Sequence, residues 1–144
     1  MSELRQDLIS GDWIIMAPER LRRPHDFISK RRTRKPSPKK GCPFEGSAFK
    51  KDKSWSPVLA FPSLRNWRVV VTPNKYPALT HRETCAKVFK RGPYSSREGV
   101  GWHDVVVTRD HNKNFADLSE GEALEVLRVM QARYKMMAKD KCVL

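Results

Sequence analysis

The 144-residue sequence has no long apolar run, only three cysteines and few acidic side chains. No apolar run approaches the roughly 18 residues that a membrane-spanning helix needs, which excludes such a helix. The N-terminus has no basic lead followed by an apolar stretch, so we expect no secretory signal. An odd number of cysteines without a signal favours reduced, unpaired thiols and a cytoplasmic protein.

The sequence also has no complete set of catalytic residues. Its seven glycines are scattered, and none has the spacing of a P-loop or a dinucleotide-binding fingerprint. None of its four histidines stands in a His-x-His or His-Glu-x-x-His arrangement. We therefore predict no catalytic residue in this chain.

The charge of the chain is strongly one-sided. Lysine and arginine number 29 against 16 acidic residues, a net charge of +13, while the 39% hydrophobic content is compatible with a folded domain. Residues 20–53 hold thirteen basic and three acidic residues together with four prolines, which predicts a basic loop or arm. Clustered cations attract polyanions, although a solvated loop without a specific partner has the same composition.

Three short runs have the composition of strands. They cover residues 12–17, 67–72 and 103–108, and the last two have a core of three consecutive valines. We expect the two valine-rich strands to be antiparallel neighbours in one sheet.

A helix is predicted over residues 119–139. Ser119 and Glu122 have the spacing of a capping box, in which each side chain accepts a hydrogen bond from the other residue's backbone N–H. Five apolar residues then recur at spacings of three or four and predict a stripe that packs on the sheet as core: Ala123, Leu127, Met130, Tyr134 and Met137. The fold class predicted is α+β, with a mainly antiparallel sheet and one long helix packed on it.

The segment Cys42-Pro43-Phe44-Glu45 resembles a zinc knuckle whose second cysteine has become glutamate. Zinc accepts thiolate, carboxylate and imidazole ligands, so Cys42, Glu45 and His111 are chemically suitable. Three ligands are incomplete for a structural site, and the alternative is a buried thiol with a surface histidine.

Read together, six segments in order resemble the N-terminal half of the galactose-1-phosphate uridylyltransferase family, in the histidine-triad superfamily. The resemblance implies that residues 1–144 form an N-terminal domain with a histidine-triad-like half fold, which includes the basic loop or arm at 20–53 predicted above from its composition. The six segments are residues 3–7, 11–15, 18–24, 41–44, 71–79 and 101–107, and the last is followed by matching residues at 110–113.

The family resemblance implies an enzyme of galactose metabolism that exchanges uridylyl groups between UDP-glucose and a hexose 1-phosphate. In that family, a histidine of a His-Pro-His motif carries the uridylyl group covalently, and this motif is absent from the chain. Residues 142–144 read as the start of a further strand. We therefore expect a truncated polypeptide that is inactive alone.

The resemblance also implies roles for individual residues. Asn74 matches a nucleotide-contacting asparagine, and Tyr76 and Phe44 are candidate walls for the uracil. Arg20 and Arg23 match arginines that reach a nucleotide across a dimer interface, which implies a homodimer.

The resemblance further assigns Cys42 and His111 to a metal site. They match two ligands of the family's site, and Glu45 stands where its second cysteine is usual. Zinc is therefore the expected cofactor.

The sequence leaves three other functions open. A nucleotide-sugar or dinucleoside-polyphosphate phosphorylase of the same superfamily would share every segment up to residue 144. A basic nucleic-acid-binding protein would use residues 20–53 and lose affinity steeply with salt, although the motifs favour a small phosphorylated ligand over nucleic acid. A non-catalytic remnant that dimerises through a sheet edge is the third alternative.

Overall fold

The computed structural model describes residues 2–22, 39–40, 42–45 and 56–142. Most of the predicted basic arm, including Arg23, lies outside these residues. The chain divides into two compact units. The first unit combines Met1–Arg31, Tyr76–His103 and Asp140–Leu144, and the second combines Arg32–Lys75 with Asp104–Lys139.

Within the described residues, the chain forms seven strands and one α-helix. Short 3-10 helices also occur at Pro18–Arg22 and Phe115–Asp117. The strands and the helix are, in chain order, β1 (Glu3–Gln6), β2 (Trp13–Met16), β3 (Leu59–Phe61), β4 (Val69–Pro73), β5 (Val88–Arg91), β6 (Tyr94–Glu98), β7 (Asp104–Thr108) and α1 (Glu120–Met137).

The first unit is built on a four-stranded antiparallel sheet with the strand order β2-β1-β6-β5. A two-residue turn, Gly92-Pro93, joins β5 to β6. Gly92 has a φ of 59°, a left-handed value that glycine adopts without steric cost. Arg97 of β6 lies over the ring of Trp13 in β2, with its guanidinium carbon 4.5 Å from the ring centre.

The second unit is a three-stranded antiparallel sheet, β3-β4-β7, with α1 packed against it. Leu59, Val71 and Val106 lie side by side across the three strands. Val69 and Val71 form a buried cluster with Val126 and Val129 of α1, to which Leu59 and Val106 also contribute. The core of this unit is therefore the contact between one helix face and one sheet face.

The α+β prediction is confirmed, including the three strands and the helix. The two valine-rich strands are β4 and β7, and they pair antiparallel with Val70 opposite Val107. Ser119 caps α1, and both hydrogen bonds of the capping box with Glu122 are present. No helix in the described part of the chain is long and apolar enough to cross a membrane.

The predicted packing face of α1 is wrong at three of its five residues, since only Ala123 and Met137 are half-buried. Leu127, Met130 and Tyr134 are 53%, 48% and 71% exposed, whereas the buried residues of the helix are Val126, Val129 and Arg133. The prediction counted apolar side chains only. The true buried face includes an arginine that is neutralised by an aspartate from β7, as described below.

The prediction of unpaired cysteines is wrong for two of the three. Cys85 and Cys142 form a disulfide across a sequence separation of 57 residues, and Cys42 is free and half-buried. An odd cysteine count shows only that one thiol is left over, because the proximity of two distant residues depends on the fold.

Candidate functional site

His111 lies in the loop that follows β7 in the second unit. The Oδ1 of Asp110 accepts a hydrogen bond of 2.8 Å from the backbone N–H of Asn112, which makes a tight turn around the histidine. The Nε2 of His111 is 3.2 Å from the Oε1 of Glu45. These two side chains are only 11% and 21% exposed, so they form a largely shielded polar pair.

Glu45 is presented by the turn that begins at Cys42. The backbone N–H of Glu45 donates to the carbonyl of Cys42 at 3.2 Å, and the N–H of Phe44 lies 3.4 Å from the Cys42 sulfur. The turn thus places three predicted site residues, Cys42, Phe44 and Glu45, within one short segment. Glu45 extends from it to His111 across 66 residues of sequence.

The predicted metal ligands are chemically suitable but only partly assembled. Glu45 and His111 are in contact, and carboxylate and imidazole are both zinc ligands. Among the residues that the structure describes, however, no group of three or more His, Cys, Asp or Glu side chains could hold a metal ion. Zinc therefore stays a prediction from the resemblance, and we derive no chemistry from it.

A cavity of about 410 Å³ lies beside this histidine, between the end of β7 and the first turns of α1. Its volume is within the range of about 300–1,000 Å³ typical of small-molecule sites. Nine of the twelve described residues that line it are polar or charged, and six of these are Arg68, Thr108, Arg109, His111, Glu122 and Glu125.

Two glutamates of this cavity are engaged by cations. Arg68 holds Glu125 through two hydrogen bonds, which raise the pKa of the guanidinium. The Nζ of Lys113 lies 2.8 and 3.0 Å from the two carboxylate oxygens of Glu122. Hydrogen bonds from Lys113 and Ser119 lower the pKa of Glu122 to about 2. Both glutamates are therefore fixed in position, and Glu122 is ionised at neutral pH.

Arg109 supplies a cation that lies outside these glutamate pairs. Its guanidinium carbon is 5.3 Å from the centre of the Trp67 ring, and its Nη1 donates to the Trp67 carbonyl at 3.4 Å. Stacking on an aromatic ring orients a guanidinium while leaving donors for a planar or phosphate ligand. The arrangement can bind and orient a polar ligand.

The predicted nucleotide-binding residues are divided between the two units. Asn74 follows β4 directly and is half-buried, and it belongs to the second unit together with Phe44. Tyr76, 60% exposed, and Arg20, in the first 3-10 helix, belong to the first unit. Of these residues, Phe44 lies in the same turn as the predicted metal ligands Cys42 and Glu45.

Two further histidines have contacts in the first unit. The ring of His81 stacks on Trp102 with 3.7 Å between ring centres, and its Nδ1 is 3.4 Å from Asp140. The Nδ1 of His103 accepts a hydrogen bond of 2.8 Å from the backbone N–H of Ala78. The fourth histidine, His25, lies outside the described residues.

Several polar residues of the cavity, above all Arg68 and Glu125, were not predicted from the sequence. They are 57 residues apart and meet only because α1 packs beside β4. One signal was available in the sequence, because Arg68 and Arg109 each adjoin a valine-rich strand. In the antiparallel register of β4 and β7 the two residues lie at the same end of the sheet. There the backbone N–H of Arg109 donates to the carbonyl of Arg68 at 2.9 Å.

Comparison with known proteins gives one informative similarity. No protein-family model matches the chain, and no solved structure matches it. An ADP-glucose phosphorylase from Arabidopsis thaliana is 32% identical over 146 residues, an alignment that covers 98% of this chain. The chain spans 40% of the length of that relative. Because a nucleotide-sugar phosphorylase is one of the functions left open above, the similarity supports the family without supporting a uridylyltransferase specifically.

Proposed function

We propose that this chain is the nucleotide-holding N-terminal part of a nucleotide-sugar phosphorylase or a closely related nucleotidyltransferase. The observation that carries this proposal is the 32% identity to an ADP-glucose phosphorylase along 98% of the chain. In the reaction proposed, the bond between the α-phosphorus and the sugar-phosphate oxygen breaks. A new phosphorus–oxygen bond forms to an acceptor, which is inorganic phosphate or a hexose 1-phosphate.

A uridylyltransferase that works through a covalent histidine intermediate is the more specific alternative within this proposal. The first residue to test is Asn74, because its amide can donate to and accept from a base or ribose edge. Phe44 and Tyr76 are proposed to contact the base, and Arg20 and Arg23 to bind phosphate oxygens. The cavity at His111 would accommodate a polar part of the substrate, with Arg109 as a cationic donor.

The test is equilibrium binding by calorimetry with ADP-glucose and UDP-glucose as separate titrants. We expect binding of at least one of them, and we expect Asn74→Ala to weaken it about tenfold, equivalent to about 1.4 kcal/mol. The matched control is Asn66→Ala, which removes an exposed amide in the loop before β4 and should leave the affinity unchanged. The preferred titrant distinguishes a uridylyl from an adenylyl enzyme.

Two outcomes would overturn the proposal. One is the absence of binding by either nucleotide sugar to the folded protein. The other is an equal affinity of the wild type and Asn74→Ala together with binding to duplex DNA that weakens steeply with salt, which would favour the basic nucleic-acid-binding alternative.

A further inference from the structure

The cavity in the second unit holds two glutamates of α1 that are already paired with cations. Glu122 accepts four hydrogen bonds, from Lys113 and Ser119, so its oxygens are fully used. Glu125 accepts two hydrogen bonds, both from Arg68, and its carboxylate has further acceptor positions. Because each glutamate is paired with a cation, the two carboxylates add little net negative charge to the cavity.

Two basic side chains of the same cavity have no carboxylate partner among the described residues. The guanidinium of Arg109 contacts Trp67, and Lys39 is exposed and makes no ion pair there. The turn at Cys42 holds Lys39 in place, since the backbone N–H of Cys42 donates to the Lys39 carbonyl at 3.2 Å. The other charged group in the described lining is Asp110. Apart from the two neutral pairs, positive charge therefore exceeds negative charge in this lining.

We propose that this cavity binds a sugar phosphate, with the phosphate held by Arg109 and Lys39. A planar guanidinium and an ammonium are both suited to phosphate oxygens. The sugar hydroxyls donate hydrogen bonds to oxygens of Glu125, Asp110 and Asn112, which also line the cavity. The lining thus provides donors for the charged end of such a ligand and acceptors for its hydroxyl end.

The size of the cavity suits a whole sugar phosphate. Its volume of about 410 Å³ exceeds what a single phosphate ion needs, since a water molecule occupies about 30 Å³ in the liquid. The inference rests on the proposed function, in which a hexose 1-phosphate is either the product of a phosphorylase or the acceptor of a transferase. It gives that molecule a place in the second unit.

The sugar-phosphate site lies at the opposite end of β4 from Asn74. Arg68 precedes β4 and Asn74 follows it, a separation of about 20 Å for extended chain at about 3.3 Å per residue. Arg109 lies at the Arg68 end, because its backbone N–H donates to the Arg68 carbonyl at 2.9 Å. Contacts to a nucleotide at Asn74 and to a sugar phosphate at Arg109 can therefore be changed independently by substitution.

The first experiment is calorimetric titration of the protein with glucose 1-phosphate, inorganic phosphate and glucose separately. We expect glucose 1-phosphate to bind about tenfold more tightly than the other two, because it alone engages both the cations and the acceptors. Arg109→Gln and Lys39→Gln should each weaken its binding about tenfold. The matched controls are Arg65→Gln and Lys40→Gln, which change exposed residues outside the described lining and should leave the affinity unchanged.

The second experiment separates this inference from the proposed function. Its titrant is AMP or UMP, whichever matches the preferred nucleotide sugar. Asn74→Ala should weaken the binding of the nucleotide and leave that of glucose 1-phosphate unchanged, and Arg109→Gln should do the reverse. Binding of a nucleotide sugar that depends on Asn74, without binding of glucose 1-phosphate, would overturn the sugar-phosphate site and leave the proposed function intact.

Two further results would also contradict the sugar-phosphate site. One is an equal affinity of the wild type, Arg109→Gln and Lys39→Gln for glucose 1-phosphate. The other is an equal affinity of the wild type for glucose 1-phosphate and inorganic phosphate, which would remove the assigned hydroxyl contacts. If Arg109→Gln does not fold, Lys39→Gln decides the test, because the exposed side chain of Lys39 makes no ion pair within the described residues.

Discussion

Asp104 and Arg133 form an ion pair that connects the start of β7 to α1. The Nε of Arg133 is 2.7 Å from the Oδ2 of Asp104, and each side chain is only 10% exposed. A charge held away from water depends on its partner, since removing one member leaves the other desolvated and uncompensated. This pair explains how an arginine occupies the buried face of the helix.

Removing Arg133 alone should therefore destabilise the protein strongly. We expect Arg133→Met to lower the free energy of unfolding by about 3 kcal/mol, because Asp104 is left without its countercharge. Arg133→Met combined with Asp104→Leu should recover most of that loss. Urea unfolding measures both, with Arg128→Met on the exposed face as the control at about 0.5 kcal/mol or less. Equal effects of Arg133→Met and Arg128→Met would contradict this role of the pair.

At the scale of the helix, its start is held by hydrogen bonds that need an ionised glutamate. The Oε2 of Glu122 accepts from the backbone N–H of Ser119 at 2.8 Å, and its other oxygen accepts from Lys113 at 2.8 Å. The pKa of Glu122 falls from its ordinary 4.5 to about 2 as a result. Because the pKa is lower in the folded state, this stabilisation is complete above about pH 4.5 and is lost as the pH falls toward 2.

Glu122→Gln should accordingly destabilise the protein at neutral pH and have little effect near pH 2. The checking measurement is the urea midpoint of wild type and variant across that pH range, with the difference between them shrinking below about pH 4.5. Glu120→Gln, in the same helical turn but outside the capping box, is the control and should show a much smaller difference. A difference for Glu122→Gln that is constant with pH would contradict the assigned hydrogen bonds.

The elements that could be predicted from the sequence are those with a strong local signal. A few consecutive residues suffice to predict three elements: the valine runs predict β4 and β7, and the capping box predicts the start of α1. In contrast, β5 and β6 contain Lys, Arg and Ser and lie in a sheet that is half exposed, so no apolar pattern marks them. Their pairing depends on the turn at Gly92 and on neighbouring strands.

The candidate site could be predicted by residue type but not by geometry. Glu45 and His111 stood out because their side chains suit zinc and match a family pattern, and their contact spans 66 residues. Arg68 and Glu125 had no such pattern, and only the packing of α1 on β4 brings them together. Contacts between distant elements, such as the Asp104–Arg133 pair, also decided which helix face is buried.

At the scale of the whole chain, the disulfide is the largest departure from the prediction. Cys85 and Cys142 close a loop of 57 residues that contains β5, β6, β7 and α1. The segment that holds Cys142 is also fastened by Asp140, which lies 3.4 Å from His81 and accepts a hydrogen bond of 2.9 Å from the Cys142 backbone. When the disulfide is reduced, the contact between Asp140 and His81 and the hydrogen bond from the Cys142 backbone to Asp140 therefore still hold this segment in the first unit.

Reduction should lower the free energy of unfolding by up to about 4 kcal/mol, because a closed loop of this length restricts the unfolded chain. Urea unfolding with and without dithiothreitol measures the loss, and the double variant Cys85→Ser/Cys142→Ser should not respond to the reductant. Thiol titration in denaturant should find one thiol, Cys42, before reduction and three afterwards. Three thiols before reduction would contradict the disulfide. Since a cytoplasm keeps thiols reduced, the stability measured in dithiothreitol is the one that applies if the predicted location is correct.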